Sequence, residues 1–239
     1  MKPLRINLRT PKGRLVLGDV PRVVGTFSSA PSEFWRLGPV LPCDIVELRV
    51  DQMPAGSDWL ACGRSIEEKG TPVIVTIRSH TEGGAWSGPE DERMAHLNRA
   101  LEQLSAVDIE LKSRLAAKVA AAAKRQKKVC IVSFHDFKRT PRLSTLKSIL
   151  SQAQKCGSVV KVSTMVKSRR DTDTLLALLL QKRKTPLCLI GMGPAATHTR
   201  ISFATLGSCL TYGYLDKPAA PGQLSAARLS ELLRELKVR

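Results

Sequence analysis

Three side chains in this sequence have both the type and the setting for chemistry. Lys161 lies within Val159-Val160-Lys161-Val162, an apolar run that a freely solvated lysine seldom occupies. An amine held among apolar groups and near other cations has its pKa depressed, and the neutral amine is the form that condenses with a carbonyl. Lys161 is therefore a candidate Schiff-base residue. His135 follows Ser133 and Phe134 at the end of a β-branched run, and its near-neutral pKa suits both taking and returning a proton. Glu82 opens the turn Glu82-Gly83-Gly84, where flexible glycines would let a carboxylate approach the imidazole. Orienting His135 is the task expected of it. His80, His96 and His198 carry no comparable local argument.

These residues need a scaffold, and the hydrophobic pattern supplies one. Short β-branched runs at about 22–28, 45–51, 72–79, 106–112, 128–136, 159–166, 186–192 and 209–215 read as strands. Helical patterns alternate with them: a short one near 31–37, then about 57–70, 90–105, 113–126, 141–155, 170–183, 197–206 and 225–237. Glu90, Asp91 and Glu92 give the third helix an acidic first turn, and the alanine-rich stretch at 116–123 is a strong helix former. Eight such units predict an α/β fold of the closed (β/α)8 TIM-barrel type, with an open doubly wound sheet as the alternative. The preceding segment, broken at Pro11 and Gly13, reads as a β-hairpin closing the barrel floor. Residues 1–239 contain no linker-like stretch and are expected to form one domain.

Side chains alternate across a strand, so one set of each pair of faces points into the barrel. Val46, Leu48 and Val50 leave Glu47, Arg49 and Asp51 facing inward; Ile77 leaves Thr76 and Arg78; Val107, Ile109 and Leu111 leave Asp108, Glu110 and Lys112. Unpaired ions inside a barrel cost several kcal/mol each, so these groups should pair with one another or meet a polar ligand. A structural network is the expected fate of Asp51, Asp108, Glu110 and Lys112. Arg78, His135 and Lys161 fall toward the C-terminal halves of their strands, the end at which such barrels carry their active sites.

Composition narrows the function classes. The 239 residues are 43% hydrophobic and 25% charged, which fits a globular chain and excludes disorder. No apolar run approaches a membrane span, and the start MKPLRINLRTPKGR is too polar for a signal peptide, so a cytoplasmic location is expected. Cys43, Cys62, Cys130, Cys156, Cys188 and Cys209 are scattered, with no metal-ligand spacing, and read as reduced, mostly buried thiols. The net charge of +17 favours anionic partners, and its densest runs are Lys124–Lys128, Lys167–Arg170 and Lys182–Lys184. With only 4% aromatic residues, stacking platforms for single strands are scarce, so solvated faces are expected rather than a nucleic-acid partner.

Six strings, taken in order, resemble the type I 3-dehydroquinate dehydratases. They are ELRVD at 47–51, TIRSHTEGG at 76–84, DIEL at 108–111, SFHDFKRTP at 133–141, KVSTM at 161–165 and GSCLTYGYLDKPAAPGQLS at 207–225. The resemblance implies that Lys161 forms an imine with the ketone of 3-dehydroquinate. It further implies that His135 removes the adjacent proton and returns it to the departing hydroxyl while Glu82 holds its ring. The products would be 3-dehydroshikimate and water, with no metal or organic cofactor required. By position, Arg200 matches the arginine that binds the substrate carboxylate, and Glu47, Arg49 and Arg78 match groups that bind hydroxyls or organise the pocket. Gln223 matches the residue closing over the substrate, and Thr26 stands where many relatives have serine. Ala219 departs from a serine common in relatives and removes one hydrogen bond. The resemblance also implies a homodimer. Two other readings stand beside it: another lysine-imine barrel, such as an aldolase, and a basic nucleic-acid-binding protein on a catalytically dead barrel.

Overall fold

In the computed structural model, which describes residues 4–218 and 222–238, the chain forms the expected barrel. A hairpin of β1 (Ile6–Thr10) and β2 (Gly13–Leu17) comes first. The barrel strands follow as β3 (Arg22–Phe27), β4 (Ile45–Arg49), β5 (Val73–Thr76), β6 (Ala106–Glu110), β7 (Val129–Asp136), β8 (Val159–Met165), β9 (Leu187–Met192) and β10 (Leu210–Tyr214). Alternating with them are α1 (Pro31–Phe34), α2 (Trp59–Glu68), α3 (Glu90–Gln103), α4 (Ala116–Arg125), α5 (Leu143–Ala153), α6 (Arg169–Leu179), α7 (Thr199–Thr205) and α8 (Ala226–Glu235). The eight strands form one parallel sheet in the order β10-β3-β4-β5-β6-β7-β8-β9. Between its two ends the Cys209 N–H donates to the Leu187 carbonyl at 2.9 Å. Ser208 adds a side-chain rung there: its Oγ accepts from Leu189 N at 2.9 Å and donates to the Leu210 carbonyl at 2.9 Å.

Strand alternation sorts the side chains as the pattern predicts. Val46, Leu48, Val75, Ile77, Val107, Ile109, Val132, Val160 and Val162 pack under the helices. Val24, Ile45, Ile74, Ala106, Ile131, Val159, Cys188 and Leu210 fill the barrel interior, together with Leu8 and Leu17 of the hairpin. The hairpin is thus the floor, and its backbone is tied down where Ser105 Oγ donates to the Arg9 carbonyl at 2.6 Å. Above this apolar layer the inward positions turn polar, toward the C-terminal ends of the strands.

Two inward placements are corrected. Strand β4 ends at Arg49, and Val50–Gln52 form a 3-10 turn, so Asp51 acts from that turn rather than from the strand. Lys112 lies beyond the end of β6, is exposed, and sets its ammonium over the Phe134 ring at 5.0 Å. Once the chain leaves the sheet, period-two alternation no longer aims the side chain. Among the basic runs, Lys124 and Arg125 close the last turn of α4, where they complement its dipole. Arg169 and Arg170 instead open α6, whose first turn is held by a capping box between Ser168 and Asp171. None of the six cysteines is in a disulfide, and four of them are buried. Among the described residues no helix is long and apolar enough to cross a membrane.

Candidate active site

The polar layer opens into a cavity at the C-terminal end of the barrel, and all nine site residues picked from the sequence line it: Thr26, Glu47, Arg49, Arg78, Glu82, His135, Lys161, Arg200 and Gln223. They come from seven different strands or the segments that follow them, which is how a closed parallel barrel gathers distant residues.

Lys161 is 4% exposed, and its Nζ donates to Asp108 Oδ2 at 3.0 Å, with Glu47 Oε1 at 3.6 Å. Its surroundings therefore differ from the apolar wall expected. Val160 and Val162, which suggested that wall, point the other way, under the helices. The amine instead sits between two carboxylates and 4.2 Å from the centre of the Tyr212 ring. Glu47 is fixed by two hydroxyls, accepting from Thr26 Oγ1 at 3.0 Å and Thr76 Oγ1 at 2.8 Å.

Asp108 is the junction of this layer. Its Oδ1 accepts from Arg78 Nη2 at 2.8 Å and from Ser133 Oγ at 2.7 Å. Burial alone would raise its pKa, but the Arg78 guanidinium and then the Lys161 ammonium hold it well below the usual carboxylate range. Arg78 also donates to Ser133 Oγ at 2.7 Å and lies 3.3 Å from Glu110 Oε1. Glu110 in turn accepts from Ser79 N at 2.8 Å and pairs with Arg93, whose Nε donates to the Ile77 carbonyl at 2.8 Å. The expected structural network thus accounts for Asp51, Asp108 and Glu110: Asp51 takes Arg49 Nε and Nη2 at 3.0 and 2.8 Å and the Ala85 N–H at 3.0 Å.

Glu82 is brought to His135 as expected. Its Oε2 lies 3.1 Å from the ring Nδ1 and accepts the His135 backbone N–H at 3.2 Å. Burial, then the charges of Arg78 and Lys161, push the His135 pKa well below its ordinary value. Burial also raises Glu82 to about 7, an effect that Arg78 opposes and Glu110 reinforces. The imidazole is therefore neutral, with Nδ1–H donated to Glu82 and Nε2 left as the basic nitrogen. The two glycines after Glu82 do their work through close packing rather than flexibility. Gly83 has φ of +76°, and a Cβ on Gly84 would lie 2.0 Å from the Arg78 carbonyl oxygen.

Arg200, from α7, is 5% exposed; it donates from Nη1 to the Tyr212 carbonyl at 3.0 Å, and among the described residues its Nε has no hydrogen-bond partner. Among the described residues it makes no ion pair with a carboxylate, and burial lowers its pKa to about 10. A buried guanidinium in a cavity wall without an anion is arranged to receive one. Gln223, on the loop after β10, lines the same cavity, whereas Ala219 is outside the described residues.

The cavity also contains Phe137, Ser163, Ile190, Met192 and Tyr212, which the sequence reading did not single out. Alternation carries the missing signal for two of them, because Ser163 follows Lys161 by two positions and Met192 follows Ile190 by two. Phe137 stacks on His135, with ring centroids 6.0 Å apart at an interplanar angle of 15°. No cluster of three or more His, Cys, Asp or Glu with metal-binding geometry occurs among the described residues.

Known proteins are similar to this chain over most of its length. The 3-dehydroquinate dehydratase of Methanocella arvoryzae is 36% identical over 220 residues, covering 92% of this chain and 98% of that protein. The 3-dehydroquinate dehydratase of Methanosarcina barkeri is 36% identical over 238 residues, covering 94% and 98%. Among solved structures, 3-dehydroquinate dehydratase from Geobacillus kaustophilus superposes with a TM-score of 0.81 at 25% identity, covering 96% of each chain. The type I enzyme from Clostridium difficile shares the fold at a TM-score of 0.84 and 21% identity, covering 96% of this chain and 97% of that one. Residues 35–239 match the family model for type I 3-dehydroquinase. With that match running through the lysine, the histidine and both halves of the barrel, the chain belongs to the type I 3-dehydroquinase family.

Proposed function

We propose that this protein dehydrates 3-dehydroquinate to 3-dehydroshikimate and water in the shikimate route, with Lys161 as the covalent catalyst and His135 as the acid–base group. The observation that carries the reading is a primary amine inside a cavity whose other walls hold a neutral, carboxylate-backed imidazole and a buried guanidinium that pairs with no carboxylate among the described residues. A hydroxylated keto acid has one group for each.

The ammonium of Lys161 gives up a proton before attack, and Glu47, 3.6 Å away, is the carboxylate at hand to take it. The amine adds to the ketone, the oxygen leaves as water, and the protonated imine becomes an electron sink for the neighbouring carbon. His135 Nε2 removes a proton from that carbon, and Glu82 stabilises the imidazolium through Nδ1. The electrons return from the imine as the hydroxyl β to it departs with the proton from His135. Hydrolysis then frees product and lysine. Arg200 holds the carboxylate through a charge-assisted fork, with Gln223 closing above it. Arg49 and Thr26 face the hydroxyls, while Arg78, already occupied by Asp108, Ser133 and Glu110, organises the wall.

The test is direct. Protein mixed with 3-dehydroquinate should raise the ultraviolet absorbance of the conjugated enone, and borohydride plus substrate should add covalent mass at Lys161. Folded protein that neither turns over substrate nor traps it would defeat the reading.

A further inference from the structure

Tyr212 is 4% exposed in the wall of this cavity, and among the described residues its hydroxyl has no hydrogen-bond partner. Buried hydroxyls are almost always satisfied, so an orphan on a residue that lines a ligand cavity marks a donor whose partner arrives with the ligand. The residue touches both ends of the site: its ring lies 4.2 Å from Lys161 Nζ, and its carbonyl receives Arg200 Nη1 at 3.0 Å. A phenylalanine would give the amine the same ring face without burying a polar atom. Packing against the lysine therefore does not explain the hydroxyl.

We propose that the Tyr212 hydroxyl donates a hydrogen bond to the oxygen that leaves the substrate's keto carbon while the Lys161 imine forms. This rests on the imine reading above. The carbon that bonds to Nζ is held next to the Tyr212 ring, so the oxygen on that carbon is the substrate atom most closely confined to its neighbourhood. The step balances without an outside acid. The C=O double bond is replaced by a C=N double bond, and two of the three ammonium protons leave with the oxygen as water while the third stays on the iminium. Tyr212 steadies the oxygen as it passes through the charged, then hydroxyl, state and keeps its own proton. Burial, followed by the charge of Glu47, holds the phenol well above its ordinary pKa, which suits a donor and not a base.

Tyr212→Phe separates this role from packing. Wild type and variant are mixed rapidly with 3-dehydroquinate, quenched with borohydride at successive times, and the Lys161 adduct is counted by mass; thermal unfolding is measured alongside. The variant should form adduct about 3–10-fold more slowly, the loss of one hydrogen bond in the step. Its unfolding temperature should equal or exceed that of the wild type, since a buried unpaired hydroxyl has gone. Adduct formation at the wild-type rate overturns the proposal, as does a raised KM with that rate unchanged, which would put the hydroxyl on another substrate oxygen. A clearly lowered unfolding temperature also overturns it, by giving the hydroxyl a structural partner. If the wild type itself yields no adduct, the imine reading fails first, and this inference with it.

Discussion

One oxygen of Glu82 serves both the ring and the backbone of His135, at 3.1 Å to Nδ1 and 3.2 Å to the main-chain nitrogen. The carboxylate therefore sets the imidazole's tautomer and anchors its strand position together. Among the described residues its other oxygen is buried without a partner, so the charge is concentrated on the histidine. Glu82 also carries a pKa raised to about 7, which makes it, rather than the depressed His135, the group that changes state near neutrality.

A pH profile tests that assignment. Ionised Glu82 stabilises the imidazolium formed when His135 takes a proton, whereas protonated Glu82 does not. kcat/KM should therefore rise as pH increases through about 7. Glu82→Gln keeps the side-chain shape and removes the titration, so the rise should vanish and the plateau fall on the order of 10²-fold. A glutamine variant that retains the same rise would move the titration to another residue.

The junction at Asp108 should matter more for the fold than for binding. It is buried against Arg78, Lys161 and Ser133, and removing one partner of a buried ion pair costs about 3–5 kcal/mol because the other charges stay buried. Asp108→Ala should lose stability of that order in denaturant titrations. The pKa of this group is lowered on folding, so its contribution is present above the ordinary aspartate range and lost as pH falls below it. The wild-type and variant stability curves should accordingly converge in acid. Equal stabilities at neutral pH would show that the network is compensated elsewhere.

Most of this architecture was legible because a parallel barrel repeats simple rules. Strand alternation placed Glu47, Thr76, Arg78 and Asp108 on one interior surface, and strand ends placed Arg78, His135 and Lys161 at one mouth. What stayed hidden depends on contacts between distant segments. Neighbours in sequence suggested an apolar lysine, but in a strand those neighbours face away, and the carboxylates beside Lys161 come from β4 and β6. Lys112 looked interior only as long as β6 was assumed to continue past Glu110. Arg200 was placed by resemblance, because a helical position after β9 has no alternation to reveal its direction. Tyr212 was not singled out, because nothing in its sequence neighbours shows what its hydroxyl meets.

Arg200 should act on affinity. Its Nε is unpartnered and its guanidinium faces no carboxylate among the described residues, so truncation breaks little within the protein. Arg200→Ala should raise KM about 10–150-fold, the equivalent of a charged hydrogen-bonded contact worth about 1.5–3 kcal/mol. Arg200→Lys should recover part of that loss, because a point charge remains but the fork does not. Borohydride trapping at saturating substrate should persist in both. An unchanged KM in the alanine variant would place the carboxylate elsewhere.

The Glu82 turn makes a sharper structural prediction, since its two glycines differ in what a methyl group would meet. At Gly84 the methyl would strike the Arg78 carbonyl oxygen at 2.0 Å, and that oxygen is also the acceptor for Trp86 N at 3.0 Å. Backbone must move, carrying with it Arg78, Ser79 and the start of the turn that holds Glu82. At Gly83 the methyl would meet the Phe137 ring at 2.4 Å, a half-exposed side chain that can swing aside, leaving chiefly the cost of φ at +76°. Gly84→Ala should therefore lose about 1–3 kcal/mol of stability and depress kcat more than KM, as the His135 partner is displaced. Gly83→Ala should cost about 1–2 kcal/mol while retaining more of the wild-type kcat. Chemical denaturation with steady-state kinetics measures both, and a Gly84→Ala enzyme with normal kcat would show that Glu82 is held independently of this packing.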